Sequence, residues 1–151
     1  MDAMRIVDAD ILSYALFRRH DAHPYCWPLV QNAIHGKISV AIATVSLLET
    51  YHALVEDYRV EREEAFGKLD VLTRSRRIRF LPMTTDIARK ALEIAKVHKV
   101  RSFDANLIAS AETNGISVIV SNDGHVARLC KERGLILENP IPKEVTKKMR
   151  L

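Results

Sequence analysis

Four acidic residues in this chain stand beside short apolar segments, where their carboxylates could share one ligand. Asp8 closes the apolar run 5–8, and Asp123 comes just after the β-branched run 116–120. Glu49 and Asp104 fall in the first turns of two helical patterns. Carboxylates that converge repel one another unless a cation neutralises them. Hard divalent ions such as Mg²⁺ and Mn²⁺ prefer oxygen ligands, so these four acids predict an acidic metal pocket.

The elements that must position these acids follow an order typical of a parallel sheet. Short apolar runs at 5–8, 39–43, 78–81, 116–120 and 135–138 alternate with apolar residues at helical spacing. In an open parallel sheet, ligands bind beyond the carboxyl ends of the strands. The expected fold is therefore three-layer α/β/α, with a central, mostly parallel sheet of about five strands. We expect a single domain over residues 1–151 that ends in a short basic tail, formed by Lys143, Lys147, Lys148 and Arg150.

Each acid also has a purely structural interpretation, which the sequence leaves open. Asp8 and Asp123 are placed to cap helices, and Ser46-x-x-Glu49 matches a capping box. Asp104 is the most informative of the set, because it lies on an apolar stripe of its helical pattern. A buried carboxylate without a partner is costly, so that position requires a cation nearby.

Composition argues against several other kinds of protein. Cys26 and Cys130 belong to no CxxC motif or Cys/His cluster, which argues against structural zinc and a disulfide scaffold. No apolar stretch approaches the roughly 20 residues that cross a bilayer, and no signal-peptide pattern follows Met1. We therefore expect a cytoplasmic protein that does not enter a membrane. Neither GxGxxG nor GxxxxGK is present, which argues against a nucleotide-binding loop.

The ordered acidic motifs resemble the PIN-domain family, whose members include the VapC-type toxins of toxin–antitoxin pairs. The motifs are Ile6-Val7-Asp8-Ala9-Asp10, Ser46-Leu47-Leu48-Glu49, Phe103-Asp104-Ala105-Asn106-Leu107-Ile108-Ala109 and Val120-Ser121-Asn122-Asp123. They span nearly the whole chain in the family's order. Asp10 departs from the pattern, since Asn or Ser is more usual there, and it would add a fifth acid to the pocket. Val126 also departs, since an aromatic residue is more usual at that position.

The resemblance implies metal-dependent hydrolysis of RNA phosphodiester bonds. Asp8, Asp104 and Asp123 would hold one or two Mg²⁺ or Mn²⁺ ions, directly or through water. Glu49 would complete the ligand set or orient the attacking water, and Ser121 would hydrogen-bond a carboxylate or the scissile phosphate. The resemblance also implies a type II toxin with a small antitoxin as partner, commonly as a homodimer. Single-stranded DNA is an alternative substrate. Two alternative functions are a PIN nuclease of RNA processing or decay and a non-catalytic PIN-like interaction module.

Basic and aromatic residues bear on how a nucleic acid would bind. The formal net charge of +4 favours polyanions only mildly. Lys99 and Arg101 are placed for phosphates near Asp104, whereas a denser cluster either binds RNA or faces solvent. That cluster consists of Arg74, Arg76, Arg77 and Arg79. Aromatic residues are few, and no pattern predicts a base-stacking platform. Four aromatic residues either pack in the core or form a surface for an antitoxin: Tyr14, Phe17, Tyr25 and Trp27.

A receiver-type phosphoacceptor fits the pattern poorly. That class places an acceptor Asp after its third strand. Here the third predicted strand ends in Leu81-Pro82. The acidic residues therefore indicate a metal site more strongly than a phosphoacceptor site.

Overall fold

The computed structural model describes residues 2–149 and contains one sheet of five parallel strands. The strands are β1 Arg5–Val7, β2 Val40–Ala43, β3 Ile78–Leu81, β4 Val118–Val120 and β5 Ile136–Glu138. Their order across the sheet is β3-β2-β1-β4-β5, and every neighbouring pair is parallel. The predicted α/β class is confirmed, with a sheet that is wholly parallel. The strand order reverses between β1 and β4, and such a switch point is where open parallel sheets bind ligands.

Helices connect the strands and cover both faces of the sheet. They are α1 Ala9–Leu16, α2 His23–Ile34, α3 Thr44–His52, α4 Arg62–Thr73, α5 Thr85–His98, α6 Ser102–Thr113, α7 Gly124–Arg133 and α8 Lys143–Met149. A π-helical turn, Ala53–Asp57, continues α3. Val7 and Val120 belong to one buried apolar cluster, and their strand neighbours Ile6 and Ile119 belong to another. Successive strand residues point to opposite faces, so the two clusters lie on opposite sides of the sheet and make three layers.

Three strands begin one or two residues later than the sequence predicts. Ile116 donates its amide to the Ala111 carbonyl at 2.9 Å, so the C-terminal turn of α6 uses this group before β4 begins. The runs at 39–43 and 135–138 likewise begin as strands only at Val40 and Ile136. Asp8 has left the first strand and caps α1. The core of each predicted strand is present, and only its ends differ.

Most of the segment predicted as a short basic tail is helical in the part that the structure describes, because residues 143–149 form α8. The Pro142 carbonyl accepts hydrogen bonds from the amides of Val145 (3.0 Å) and Thr146 (3.1 Å). Val145 and Met149 pack against the core, and the Thr146 hydroxyl donates to Asn122 Oδ1 at 2.9 Å. Val145 and Met149 stand four positions apart and therefore share one helical face, but the lysines around them obscure this apolar pattern in the sequence. Arg150 lies outside the described residues.

Among residues 2–149, no helix is both long and apolar enough to span a bilayer.

Candidate active site

Asp8 and Asp123 lie at the carboxyl ends of the adjacent strands β1 and β4. Asp8 caps α1 through Oδ1, which accepts from the Ala9 amide at 2.7 Å. Its Oδ2 accepts from the Ser121 hydroxyl at 2.7 Å. Ser121 Oγ in turn accepts from the Asp123 amide at 3.1 Å, so one buried hydroxyl fixes both acids. Asp123 caps α7, its Oδ1 accepting from the amides of His125 (2.8 Å) and Val126 (3.1 Å).

Asp104 reaches the same place from the first turn of α6. Its side chain is only 11% exposed and is paired with the guanidinium of Arg101, with Nε at 3.1 Å from Oδ2. Arg101 Nη2 also lies 3.4 Å from Asp123 Oδ2, so the arginine joins the two acids. Arg101 is nonetheless 68% exposed. The sequence predicts a phosphate contact for Arg101 and gives no sign of this ion pair.

Glu49 approaches the acids from α3. The capping-box interpretation is wrong, because α3 begins at Thr44 and Ser46 therefore lies inside the helix. Burial raises the pKa of Glu49 to about 7, and the negative charges of Asp8 and Asp104 add to that rise. The Glu49 carboxylate therefore senses the charges of two acids from other elements.

Asp10 lies beside these acids and is anchored to the backbone by both of its oxygens. Oδ1 accepts from the Ile11 amide at 2.7 Å, and Oδ2 accepts from the Asn122 amide at 3.0 Å. The side chain therefore ties the start of α1 to the loop after β4. Burial, followed by the charge of Asp8, raises the pKa of Asp10 well above its usual value. These contacts favour a positioning role for Asp10 over that of a fifth metal ligand.

The charges around the four acids do not balance. Burial raises the pKa of Asp8 to about 6, with Asp104 and Asp123 adding to the rise. Within residues 2–149, Arg101 is the only basic side chain that forms an ion pair with any of the four acids. Hard oxygen donors with an excess of negative charge fit a divalent cation.

The side chains as they stand do not close around an ion. In the described part of the chain, no group of three His, Cys, Asp or Glu side chains is arranged to hold a metal. Asp8 and Asp123 each commit one oxygen to a helix cap, and Arg101 spans Asp104 and Asp123. This arrangement suits an ion held partly through water, as Mg²⁺ commonly is.

Two grooves adjoin at the acids. The groove on the α3 side has a volume of about 680 Å³, and its lining includes Glu49 and Arg101. The groove on the α8 side has a volume of about 280 Å³, and its lining includes Asp123 and residues of α8. Asp10 and Tyr14 line both grooves. Glu49 and Asp123 therefore lie along two adjoining grooves, whereas the Asp8 and Asp104 side chains are not among the residues that line them.

Aromatic side chains gather beside the groove on the α3 side, which the sequence does not predict. Phe17 and Tyr58 stack with ring centroids 4.9 Å apart and planes at 8°. Tyr14 stacks on His20 at 4.2 Å, and His20 meets Tyr58 edge to face at 5.4 Å. The cluster escapes sequence reasoning because Tyr58 is remote from the others along the chain.

Two other groups of residues were singled out in the sequence, four aromatic residues and a cluster of arginines, and only Tyr14 and Phe17 of these take part in the stacking contacts beside the groove. Tyr14, Phe17 and Trp27 pack partly buried against the core, whereas Tyr25 is 40% exposed. In the arginine cluster, Arg74 pairs with Asp70, Arg79 donates to Asn114, and the Arg77 side chain covers Gly36. Across residues 2–149, no hydrogen bond or ion pair joins that cluster to the four acids.

Comparison with known proteins identifies the family. A PIN domain family model matches residues 5–132. A search of curated proteins finds no match. VapC20 from Mycobacterium tuberculosis, named as a sarcin-ricin loop cleaving toxin, superposes with a TM-score of 0.69 at 19% identity, covering 87% of this chain and 96% of that one. PAE2754 from Pyrobaculum aerophilum superposes with a TM-score of 0.62 at 25% identity, covering 89% of this chain and 83% of that one. VapBC2 from Rickettsia felis was solved with a DNA fragment from its promoter. It superposes with a TM-score of 0.64 at 16% identity, covering 90% of this chain and 98% of that one. The family match spans most of the sequence, and this chain belongs to the PIN domain family.

Proposed function

We propose that this protein is a Mg²⁺- or Mn²⁺-dependent endoribonuclease and the toxin of a type II toxin–antitoxin pair. The observation that carries the proposal is the meeting of Asp8, Glu49, Asp104 and Asp123 beyond the β1–β4 switch point, with a surplus of negative charge. Membership of the PIN domain family and the likeness in fold to VapC20 support nuclease chemistry.

Each acid has its own part in the proposed mechanism. Asp8, Asp104 and Asp123 would hold the ion, partly through water. The chemistry that such an ion would supply there is a lowered pKa of a bound water and partial neutralisation of the phosphate charge. Glu49 is the candidate to take the proton from the attacking water, because it lines the open groove beside the other acids. Arg101 is exposed and its guanidinium is placed to bind a non-bridging phosphate oxygen.

The test is cleavage of a labelled single-stranded RNA with Mg²⁺ or Mn²⁺. We expect cleavage by the wild type that EDTA abolishes and that Asp104→Asn reduces by at least about 100-fold. Asp86→Asn is the matched control, because Asp86 is an exposed first-turn aspartate of another helix and pairs with Arg89 in the same i,i+3 manner. If no cleavage is seen, calorimetry with Mg²⁺ or Mn²⁺ distinguishes a protein that binds metal but does not cleave the chosen RNA from one that binds no metal. A protein that neither cleaves RNA nor binds a divalent ion contradicts the proposal.

The proposed antitoxin would bind away from the acids, in an apolar cavity of about 550 Å³ between α1, α2 and α4. Trp27, Ile34 and Val71 line this cavity, and Val71 is 68% exposed. The apolar face of an antitoxin helix fits such a surface. Support comes from similar solved structures that are toxin–antitoxin complexes, among them one from Klebsiella pneumoniae. Copurification with the product of an adjacent small gene, lost in Val71→Glu but with cleavage retained, would establish this surface.

A PIN nuclease of RNA processing or decay is the main alternative, and a non-catalytic interaction module is the other. The absence of a neighbouring antitoxin gene would favour the first, and the absence of metal binding would favour the second. The remaining parts of the proposal are a single domain over residues 1–151, a homodimer and a cytoplasmic location.

A further inference from the structure

We infer that the groove on the α3 side of the acids binds an unpaired RNA base next to the scissile phosphate. The inference rests on the proposed RNA cleavage and adds a base-binding subsite to it. The groove has a volume of about 680 Å³ and begins at Asp10, Glu49 and Arg101. From there it extends along α3 and the π-helical turn that follows it.

The apolar side chains of the groove are unusually exposed. Leu48 precedes Glu49 and is 72% exposed, and Phe103 precedes Asp104 and is 59% exposed. Both line the groove together with Tyr14 and Tyr58. Large apolar side chains on a surface, immediately beside the acids that would hold the ion, indicate a binding surface for a ligand with an apolar face. A nucleobase is such a ligand, because every base has a face that stacks on an aromatic ring.

The charges along the groove favour a base over a phosphate. The carboxylates of Glu49, Asp10 and Asp57 line it, and Arg101 is the one Lys or Arg side chain in its lining within the described residues. Arg101 lies at the acid end, where it is already paired with Asp104. A phosphate in the outer part of the groove would be repelled by the Asp57 carboxylate, whereas a neutral base would not be repelled. The Asp57 carboxylate can also accept a hydrogen bond from an exocyclic amino group, as Asp and Glu do with bases.

Two irregularities in the backbone hold Tyr58 at the groove. The π-helical turn Ala53–Asp57 ends with the Tyr58 amide donating to the Ala53 carbonyl at 3.0 Å. Arg59 then adopts a left-handed conformation with φ of 60°, which is uncommon for a residue other than glycine. π-Helical turns and left-handed non-glycine residues persist where packing around them holds the backbone in place, and they are frequent at functional sites. Here Tyr58 is fixed by stacking on Phe17 and by the edge of His20.

The test is a scan of abasic sites along a short labelled single-stranded RNA, with binding measured by fluorescence anisotropy in Mg²⁺. The Asp104→Asn protein serves as the background, so that binding is measured whether or not the wild type cleaves. We expect one abasic position to weaken binding roughly 5- to 100-fold, and the others to have little effect. Phe103→Ala in this background should weaken binding of intact RNA similarly and remove the penalty at that position. The control is Phe66→Ala, because Phe66 is 64% exposed on α4 and does not line the groove.

The outcomes separate this inference from the proposed function. A single sensitive position that disappears in Phe103→Ala supports the base subsite, even if the wild type cleaves no RNA. RNA cleavage without a sensitive position overturns the subsite and leaves the nuclease proposal standing. Absence of RNA binding, or an abasic penalty that persists in Phe103→Ala, also overturns the subsite. An abasic penalty that persists in Phe103→Ala would mean that the base is bound elsewhere and would favour a protein partner as the occupant of the groove.

Discussion

Asp8 and Asp123 each serve the fold and the candidate site with different oxygens of one carboxylate. In each, Oδ1 caps a helix, and Oδ2 binds a side chain, Ser121 for Asp8 and Arg101 for Asp123. The structural and functional interpretations of these acids are therefore compatible. The sequence cannot distinguish them, because a helix cap and a metal ligand at a strand end have the same residue type and position. The pairing of Arg101 with Asp123 was equally hidden, since it joins residues from two separate elements.

Neutralising Asp8 is expected to stabilise the metal-free protein at high pH. Its pKa is raised to about 6 in the folded state, so folding disfavours the charged form, and stability falls as pH rises through that value. Asp8→Asn keeps a good helix cap and removes the charge. We expect a gain in the free energy of unfolding of about 1 to 3 kcal/mol at pH 8. At pH 4.5 the gain should fall to about one third of that, because Asp8 is then protonated in the folded state but mostly ionised in the unfolded one. Urea unfolding in EDTA at both pH values measures this, with Asp86→Asn as control. A less stable Asp8→Asn protein at pH 8 would contradict it.

Removing the Ser121 hydroxyl is expected to destabilise the protein more than removing a comparable hydroxyl elsewhere. Ser121 is fully buried and bonds both the Asp8 carboxylate and the Asp123 amide. Hydrogen bonds to charged groups contribute about 1.5 to 3 kcal/mol, against about 0.5 to 1.5 for neutral ones. Ser13→Ala is the matched control, because Ser13 is also buried and donates only to the Ala9 carbonyl at 2.7 Å. If Ser121→Ala and Ser13→Ala lower the free energy of unfolding equally in urea, the hydrogen bonds of Ser121 to the acids contribute no more than an ordinary buried hydroxyl.

At the level of elements, the sequence predicts those whose apolar pattern is strong. The strands β1 to β5 and the helices between them were all present in the pattern, because a buried parallel sheet needs apolar runs and its covering helices need apolar stripes. The π-helical turn at Ala53–Asp57 was missed, because its sequence continues an ordinary helical pattern. The short helix α8 was missed because lysines outnumber its two apolar contacts.

Helix α8 is expected to bind the RNA backbone on the far side of the acids from the aromatic groove. Lys143 and Lys147 line a depression that includes Asn122 and Asp123. Each lysine that neutralises a phosphate of single-stranded RNA contributes about 0.7 to the slope of log affinity against log salt. Lys143→Ala with Lys147→Ala should therefore weaken binding at low salt and lower that slope by about 1.4. Lys96→Ala is a single-site control on α5. An unchanged slope would show that α8 serves only the core.

At the scale of the whole molecule, both apolar clusters pack on one sheet, and the acids lie where that sheet's strand order reverses. Folding therefore assembles like charges from four separate places in the chain, which are the junction of β1 and α1, helix α3, helix α6 and the loop after β4. The excess charge opposes the fold that creates it, and a bound cation would offset that opposition. Metal binding and global stability should accordingly be linked, and this link is measurable without any RNA.

Mg²⁺ or Mn²⁺ is expected to raise the thermal midpoint at pH 8 and to lose this effect as the pH falls. A ligand that binds only the folded state at 100 times its dissociation constant stabilises by about 2.7 kcal/mol. Protons compete with the ion at Glu49 and Asp8, whose pKa values are about 7 and about 6, so the increment should shrink between pH 7.5 and pH 5.5. The increment is the thermal midpoint with metal minus the midpoint with EDTA, measured at the same pH. Groups outside the pocket that titrate over this range, such as His20, affect both midpoints equally and do not change the increment. Asp86→Asn should match the wild type, whereas Asp104→Asn should show little increment at any pH. An increment that stays constant across this range, or that survives in Asp104→Asn, would mean that the ion stabilises the protein from outside the acidic pocket.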